Sequence, residues 1–125
     1  MRSVPYHCTD TLAHYYLEDS YVLAIHIFPS KIAFEVDAIL TEDHADYAAP
    51  PQNEKYCYRR VQIVFDEVTS IEEFTLSFFS ATDATGEKDM GNIDSLTLRD
   101  GRVYEIFGPW GRMSIIANIL EVAAL

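Results

Sequence analysis

The amino-acid sequence predicts an all-β domain, an antiparallel β-sandwich or barrel of about seven or eight strands built from consecutive hairpins. Apolar and polar residues alternate with a period of two along much of the chain, as in strands that bury one face. Turn signals containing Pro, Gly, Asp or Asn separate these alternating segments. No long segment has an unambiguous helical pattern, so we predict strands throughout.

The length and composition predict a single domain that spans residues 1–125. Hydrophobic residues make up 49% of the chain, which is enough for a core and argues against intrinsic disorder. No secretory signal is evident, and no segment reaches the roughly 18 uninterrupted apolar residues of a membrane-spanning helix. We therefore expect a soluble, cytoplasmic protein in which Cys8 and Cys57 are reduced.

The clearest hairpin covers residues 20–40, with a tight turn at Pro29 and Ser30. If Phe28 pairs with Lys31, apolar residues lie opposite one another on a single face. Such agreement is expected of a correct register, because a slip of one residue reverses every side chain. The predicted apolar pairs are Ile27 with Ile32, Ile25 with Phe34, and Leu23 with Val36.

A second hairpin is predicted over residues 96–107. A two-residue Asp-Gly turn would place Leu96 opposite Glu105. A three-residue loop, with Gly101 in a left-handed conformation at a bulge, would instead place Leu96 opposite Tyr104. We favour the three-residue loop because it does not set an apolar residue against an acid.

The remaining strands are predicted from shorter patterns. Residues 56–65 and 71–79 form two candidate strands, and the segment around residues 12–17 is a candidate edge strand. After a turn at residues 108–111, the C-terminal segment fits either a strand or a helical stripe. We favour a last strand over residues 112–122, because the preceding pattern is one hairpin after another.

Two acidic loops carry residue types that bind metals or transfer protons. Residues 83–94 contain hard oxygen donors of the kind that calcium accepts, but they do not fit the EF-hand spacing. In residues 41–51, His44 is flanked by carboxylates and is a candidate metal ligand or general base. Turn formation and solvation explain both loops, and we favour that interpretation.

Other ionisable residues also lack a recognisable catalytic or metal-binding pattern. His7, Cys8, Asp10 and His14 match no zinc-binding spacing. His26 is predicted on the non-core face of its strand, diagonal to Glu35, where a hydrogen bond is the favoured role. Because no nucleophile or phosphate-binding motif is present either, we assign no catalytic residue, metal or cofactor.

The candidate partner-binding residues are Tyr56, Tyr58, Arg60 and Trp110. The first three alternate along one strand and therefore share a face, while Trp110 stands in a turn that we expect to be exposed. Tyr, Arg and Trp are the residues most enriched in the energetically important parts of protein interfaces. The alternative is that the tyrosines pack against a second sheet and the arginines neutralise nearby acids.

The formal net charge of −11 argues against nucleic-acid binding, which requires a basic surface. It favours a non-catalytic protein-binding module with a basic protein partner, such as an immunity or inhibitor-type protein. One alternative is a β-barrel that binds a small ligand in a mouth lined by aromatic residues, and another is a metal-dependent enzyme. We predict no membrane association, and an unpaired edge strand leaves both a monomer and a homodimer open.

Overall fold

In a computed structural model, the chain is described for residues 3–76, 81–82 and 88–125. These residues form nine strands and one short 3-10 helix at Tyr6–Cys8. The strands are β1 (Ser3–Pro5), β2 (Tyr15–Phe28), β3 (Lys31–Leu40), β4 (Cys57–Leu76), β5 (Ala81–Thr82), β6 (Lys88–Asp89), β7 (Ser95–Arg99), β8 (Val103–Gly108) and β9 (Gly111–Ala124). The part of the chain described contains no helix that is long and apolar enough to cross a membrane.

Seven of these strands form one antiparallel sheet in the order β1-β7-β8-β9-β4-β3-β2, and β5 pairs separately with β6. The predicted all-β antiparallel fold is therefore confirmed. The sheet is not closed into a barrel, so the barrel alternative does not hold. Its outermost strands are β1 and β2. The edge strand predicted around residues 12–17 is the start of β2, which begins at Tyr15 and continues to Phe28, while residues 12–14 form a turn.

The core lies on one face of the curled sheet. On β3, Ile32, Phe34 and Val36 point to this core face and are fully buried. Leu17 on the outermost strand β2 and Leu96 on β7 belong to the same apolar cluster, although their strands are far apart in the sheet. Burial of this apolar surface is the main force that stabilises the curled sheet. The opposite side of β2, β3 and β4 is called the outer face below.

Trp110 fills the core beneath the turn between β8 and β9. Its ring packs edge-on against Phe34, with ring centroids 5.3 Å apart, and its Nε1–H donates to the backbone oxygen of Asn92 at 3.0 Å. A Cβ atom at Gly108 would lie only 2.5 Å from this nitrogen and 2.2 Å from the same oxygen. Gly108 is therefore needed so that the turn can close over the indole.

The hairpin of β2 and β3 begins in the predicted register and then departs from it. Phe28 pairs with Lys31, Ile27 with Ile32 and Ile25 with Phe34, as expected. A bulge between Val22 and Ala24 then places Val22, not Leu23, opposite Val36. The prediction for Leu23 is wrong because a bulge inserts one residue and reverses the alternation beyond it.

A larger irregularity interrupts the pairing of β2 with β3 between Tyr16 and Tyr21. Tyr16 lies opposite Ile39 and Tyr21 opposite Asp37, so the four intervening residues of β2 face one residue of β3. Ser20 bridges this gap and is fully buried. Its hydroxyl donates to the Tyr16 carbonyl oxygen at 2.6 Å and accepts the Ile39 amide at 2.9 Å.

This irregular stretch decides where two tyrosines point. In a regular strand, Tyr16 and Tyr21 would lie on opposite faces, because side chains alternate. Here both lie opposite outer-face residues of β3, while Leu17 and Val22 on the same strand are buried in the core. Side-chain alternation from Ile25 through Leu23 predicts Tyr21 on the core face as well, and this prediction is wrong.

The second hairpin adopts neither predicted register. Leu96 pairs with Ile106 and Leu98 with Tyr104, so each apolar residue meets another. The turn centres on Asp100 and Gly101, which have φ angles of 57° and 75°, and both adopt the left-handed conformation expected of a tight hairpin turn. The left-handed conformation of Gly101 is thus confirmed. The favoured register is wrong, because Leu96 lies opposite Ile106 and not opposite Tyr104.

The two strands predicted over residues 56–65 and 71–79 are one continuous strand up to Leu76. Glu67, with a φ angle of 49°, marks the point where β4 leaves β3. Pairing with the long C-terminal strand β9 carries β4 past this break. The predicted C-terminal strand is confirmed, whereas residues 77–79 lie outside the described part of the chain.

We predict that Ser20→Ala lowers the free energy of unfolding by about 1–3 kcal/mol, because the buried Ile39 amide loses its acceptor. Urea unfolding followed by circular dichroism measures this loss. The matched control is Ser30→Ala in the exposed β2–β3 turn, which should change stability by less than about 0.5 kcal/mol. Equal stabilities of the two variants would contradict a bridging role for Ser20.

We predict that Trp110→Phe destabilises the protein by about 2 kcal/mol, because it removes the donor to the Asn92 oxygen and leaves space in the core. Thermal or urea unfolding followed by circular dichroism gives the difference. Phe28→Leu, at a residue that is 54% exposed in the hairpin tip, should have little effect. A Trp110→Phe variant as stable as the wild type would show that the indole ring and its hydrogen bond do not stabilise the core.

Candidate functional site

The outer face of β2 and β4 carries a cluster of tyrosines that extends the predicted interface. We call Tyr16, Tyr21, Tyr56 and Tyr58 the tyrosine patch. The rings of Tyr21 and Tyr58 stack with centroids 6.2 Å apart, while Tyr56 contacts Tyr58 edge-on at 6.1 Å. Tyr16 contacts Tyr56 at 6.1 Å, so the four rings form one continuous chain of contacts.

The patch is partly exposed and lies over an apolar base. Tyr16, Tyr21 and Tyr58 retain between 37% and 40% exposure. Ile39 of β3 lies opposite both Tyr16 and Tyr58 and is only 3% exposed, although it points to the outer face. The tyrosines therefore cover Ile39 and present their remaining ring surface and hydroxyl groups to solvent.

Charged residues surround the tyrosine patch. The Tyr56 hydroxyl donates to a carboxylate oxygen of Asp19 at 2.8 Å, and Asp19 belongs to the irregular stretch of β2. The Lys55 Nζ atom lies 5.1 Å from the centroid of the Tyr56 ring, within the range of a cation–π interaction. Arg60 lies opposite Asp37 at the far end of the patch.

Burial and neighbouring groups raise the pKa values of two tyrosines of the patch and of the adjacent lysine. Burial, together with the adjacent Tyr21, raises the pKa of Tyr58 to about 12. The negative charge of Asp19 raises the pKa of Tyr16, and interaction with the Tyr56 side chain raises the pKa of Lys55. At neutral pH, Tyr16 and Tyr58 are therefore neutral and Lys55 is protonated.

The structure brings together three of the four residues that the sequence selected for partner binding. Tyr56 and Tyr58 are in contact, and Arg60 is exposed on the same face of β4. Tyr16 and Tyr21 were not selected. The only signal for them in the sequence was that tyrosine is common at interfaces. Their position on this face depends on the irregular stretch of β2, which has no local sequence signal.

Trp110 does not belong to this surface. It has no exposed area and packs against Phe34 below the core face. The expected exposure of its turn is wrong, because Pro109 and Trp110 form a tight turn that folds the indole inward. We therefore assign Trp110 to the core and remove it from the candidate interface.

An open cleft of about 320 Å³ lies beside the patch, where residues 41–56 pass over the end of the sheet. Tyr16 and Tyr56 are shared between the patch and the cleft, and Tyr47 adds a third aromatic wall. Thr41, Glu42 and Lys55 supply the polar and charged lining. The cleft thus joins an aromatic surface to groups of both charges.

Several contacts within residues 41–56 shape this cleft. The His44 amide donates to the Thr41 oxygen and the Tyr47 amide donates to the His44 oxygen, each at 3.0 Å. Arg59 pairs with Asp46 at 3.2 Å, which anchors the loop to β4. For Arg59, whose side chain is 42% exposed, this pair agrees with the alternative that the arginines neutralise nearby acids.

His44, the candidate metal ligand or general base of residues 41–51, contacts other residues through both ring nitrogens. The His44 Nδ1 atom accepts the Asp46 amide at 2.9 Å, and Nε2 lies 3.0 Å from the Tyr15 hydroxyl. Both ring nitrogens are thus engaged. Within the described residues no group of three His, Cys, Asp or Glu side chains is placed to hold a metal.

Other predictions have mixed outcomes. His26 lies opposite Ala33 and contacts Glu35 at 2.8 Å, as expected. Residues 83–87 and the side chains of residues 81, 82, 88 and 89 lie outside the described part of the chain, so the favoured turn-forming role of that loop and the calcium alternative both stay predictions there. Cys8 and Cys57 are both free.

No protein-family model, no curated protein and no solved structure matches this chain. Neutral tyrosine rings and hydroxyls bind by stacking, cation–π contacts and hydrogen bonds. These are the interactions of a recognition surface.

We predict that stability falls as pH rises from about 10 to about 12, because Tyr58 keeps its proton in the folded state and loses it earlier in the unfolded chain. The contribution is fully present below the unfolded pKa and disappears above the folded one. Urea unfolding at a series of alkaline pH values measures the slope, which should be smaller in Tyr58→Phe. Identical slopes would contradict the raised pKa of Tyr58.

Proposed function

We propose that this protein is a non-catalytic protein-binding module that uses the tyrosine patch to bind a basic protein partner. The observation that carries the proposal is the continuous contact among four tyrosine rings on a partly exposed sheet face. Among the described residues, this arrangement supports recognition better than the ionisable side chains support catalysis.

Tyrosine is suited to such a surface for a physical reason. Its ring buries a large apolar area, its two side-chain torsions cost little entropy when fixed, and its hydroxyl satisfies a polar group of the partner. Here the ring contacts and the Tyr56–Asp19 hydrogen bond already restrict the side chains before binding. A partner would therefore meet a partly pre-organised surface, which reduces the cost of association.

The charge of the protein supports a basic partner. The formal net charge is −11, so the electrostatic field attracts a cationic protein and accelerates the encounter at low salt. The contact of Lys55 with Tyr56 supports the view that these rings accept a cation. An inhibitor or immunity-type protein that neutralises a basic enzyme fits this combination.

A small-ligand carrier is the second candidate, and the cleft of about 320 Å³ is the observation that favours it. Its volume is near the lower end of the range for small-molecule pockets, roughly 300–1,000 Å³. Native mass spectrometry of the purified protein tests this candidate directly. A co-purified small molecule of constant mass would favour the carrier over the protein-binding module.

We retain a cytoplasmic location in the proposal, because an exposed Cys8 and a free Cys57 suit a reducing compartment.

A homodimer through β2 would need its unpaired edge. At Val22 that edge is already covered. The Val22 amide donates to the Gly91 oxygen and the Val22 oxygen accepts the Met90 amide, each at 2.8 Å. This local cover favours a monomer over pairing along the whole strand.

We predict that Tyr21→Ala combined with Tyr58→Ala abolishes partner capture, because each buried interface tyrosine contributes on the order of 2 kcal/mol, or about 30-fold in affinity. Tagged wild type and variant are incubated with lysate at about 0.05 M and about 0.5 M salt, and retained proteins are identified by mass spectrometry. The partner is then purified and its affinity measured.

Phe107→Ala is the matched control, since Phe107 is 40% exposed but lies on β8, away from the patch. A basic protein that binds the wild type and the control with equal affinity, loses affinity at high salt and does not bind the patch variant supports the proposal. If binding by the purified partner is unchanged in the patch variant while its fold is intact, the tyrosine patch is not the interface.

A further inference from the structure

We propose that the cleft beside the tyrosine patch is a pocket for one arginine side chain of the partner, and that Lys55 is a resident cation which this arginine replaces. This inference rests on the proposed function, because it specifies how the basic partner is anchored. It concerns a different set of side chains from the contact of Tyr21 with Tyr58. The two can therefore be tested separately.

The walls of the cleft suit a flat cation. Tyr16, Tyr47 and Tyr56 line it, and the hydroxyl of Tyr56 is held by the Asp19 carboxylate at 2.8 Å. A guanidinium group is planar and weakly hydrated, so it stacks on aromatic faces more favourably than an ammonium group does. The volume of about 320 Å³ accommodates a side chain and the backbone that carries it.

Lys55 already occupies part of this environment as a cation. It lines the cleft, and its Nζ atom lies 5.1 Å from the centre of the Tyr56 ring. Lys55 directly precedes Tyr56 in the chain. Its ammonium group lacks the planar, forked set of N–H donors that an arginine side chain has. An arginine from a partner makes the same ring contact and adds several hydrogen bonds.

Thr41 supplies an unmet hydrogen-bonding group in the lining. Its amide donates to the His14 oxygen and its carbonyl oxygen accepts the His44 amide, both at 3.0 Å. Its side-chain hydroxyl oxygen is buried and has no hydrogen-bond partner in the part of the chain described. Buried polar groups are normally satisfied, so a rotation that turns this hydroxyl towards the cleft would give its oxygen a partner in a ligand N–H.

Glu42 provides the opposite charge. It lines the cleft and is exposed, so its carboxylate is free to turn towards a cation that enters. An arginine can bond to a carboxylate through two parallel N–H groups, which a lysine cannot do. Aromatic walls, a carboxylate and an unsatisfied hydroxyl together select arginine over lysine and over a neutral side chain.

The test uses N-acetylarginine methylamide as the probe, with the corresponding lysine and citrulline compounds as matched ligands. Two-dimensional amide NMR spectra of the full chain are recorded during titration. We expect millimolar binding of the arginine compound, with shifts concentrated at Thr41, Tyr47 and Tyr56. The lysine compound should bind at least about threefold more weakly, and the uncharged citrulline compound should not bind.

Three variants give distinct readouts. Lys55→Gln should tighten arginine binding by about two- to fivefold, because the resident cation is removed. Glu42→Gln should weaken it by a similar factor. Thr41→Val should weaken arginine binding while leaving the unfolding midpoint unchanged or higher, since a buried unsatisfied hydroxyl is replaced by a methyl group. Glu121→Gln, at an exposed position of β9, is the matched control and should change nothing.

Shifts located elsewhere, equal binding of arginine and citrulline, or weaker binding in Lys55→Gln would each overturn the arginine pocket. Equal binding of the lysine compound would overturn its selectivity. If the pocket fails while the purified partner still requires Tyr21 and Tyr58, the proposed function stands without this anchor. If the partner is insensitive to all of these substitutions, the proposed function fails as well.

Discussion

The Ser20 hydroxyl connects β2 to β3 where their regular pairing stops. By donating to the Tyr16 carbonyl and accepting the Ile39 amide, it satisfies two backbone groups that the irregular stretch would leave unpaired. Because Ser20 itself is fully buried, an unmet amide there would be costly. The bridge allows one strand to place Leu17 in the core and both Tyr16 and Tyr21 on the outer face.

The same stretch also connects the candidate site to the rest of the fold. Asp19 accepts the Tyr56 hydroxyl, and the Glu18 carboxylate accepts the Tyr6 hydroxyl, whose oxygen in turn accepts the Leu17 amide at 3.0 Å. The acidic residues of β2 therefore hold tyrosines on both sides of the strand. In the sequence, Glu18 and Asp19 are only two of many negative charges. In the structure, each carboxylate accepts a hydrogen bond from a tyrosine hydroxyl and so positions its ring.

Prediction from the sequence succeeded where side-chain alternation is unbroken. The pairing of Ile25 with Phe34, the hydrogen-bonded contact of His26 with Glu35 and the shared face of Tyr56 and Tyr58 all follow from period-two patterns. The C-terminal strand was predicted from the succession of hairpins before it, since its own pattern also fits a helix. It failed at Leu23, Tyr21 and the second hairpin, where bulges or turn geometry change the register. Bulges depend on backbone hydrogen bonds between strands, and local composition barely signals them.

The sequence by itself determined the strand-rich class, the turn at Pro29 and the formal net charge of −11, because these depend on composition and local periodicity. Only the tertiary structure decided that Trp110 is buried, that Tyr16 and Tyr21 join Tyr56 and Tyr58, and that a cleft opens beside them. Those features depend on how the sheet curls and on contacts between residues far apart in the chain. The physical reason is that burial and strand register are set by long-range packing, which no short window of sequence contains.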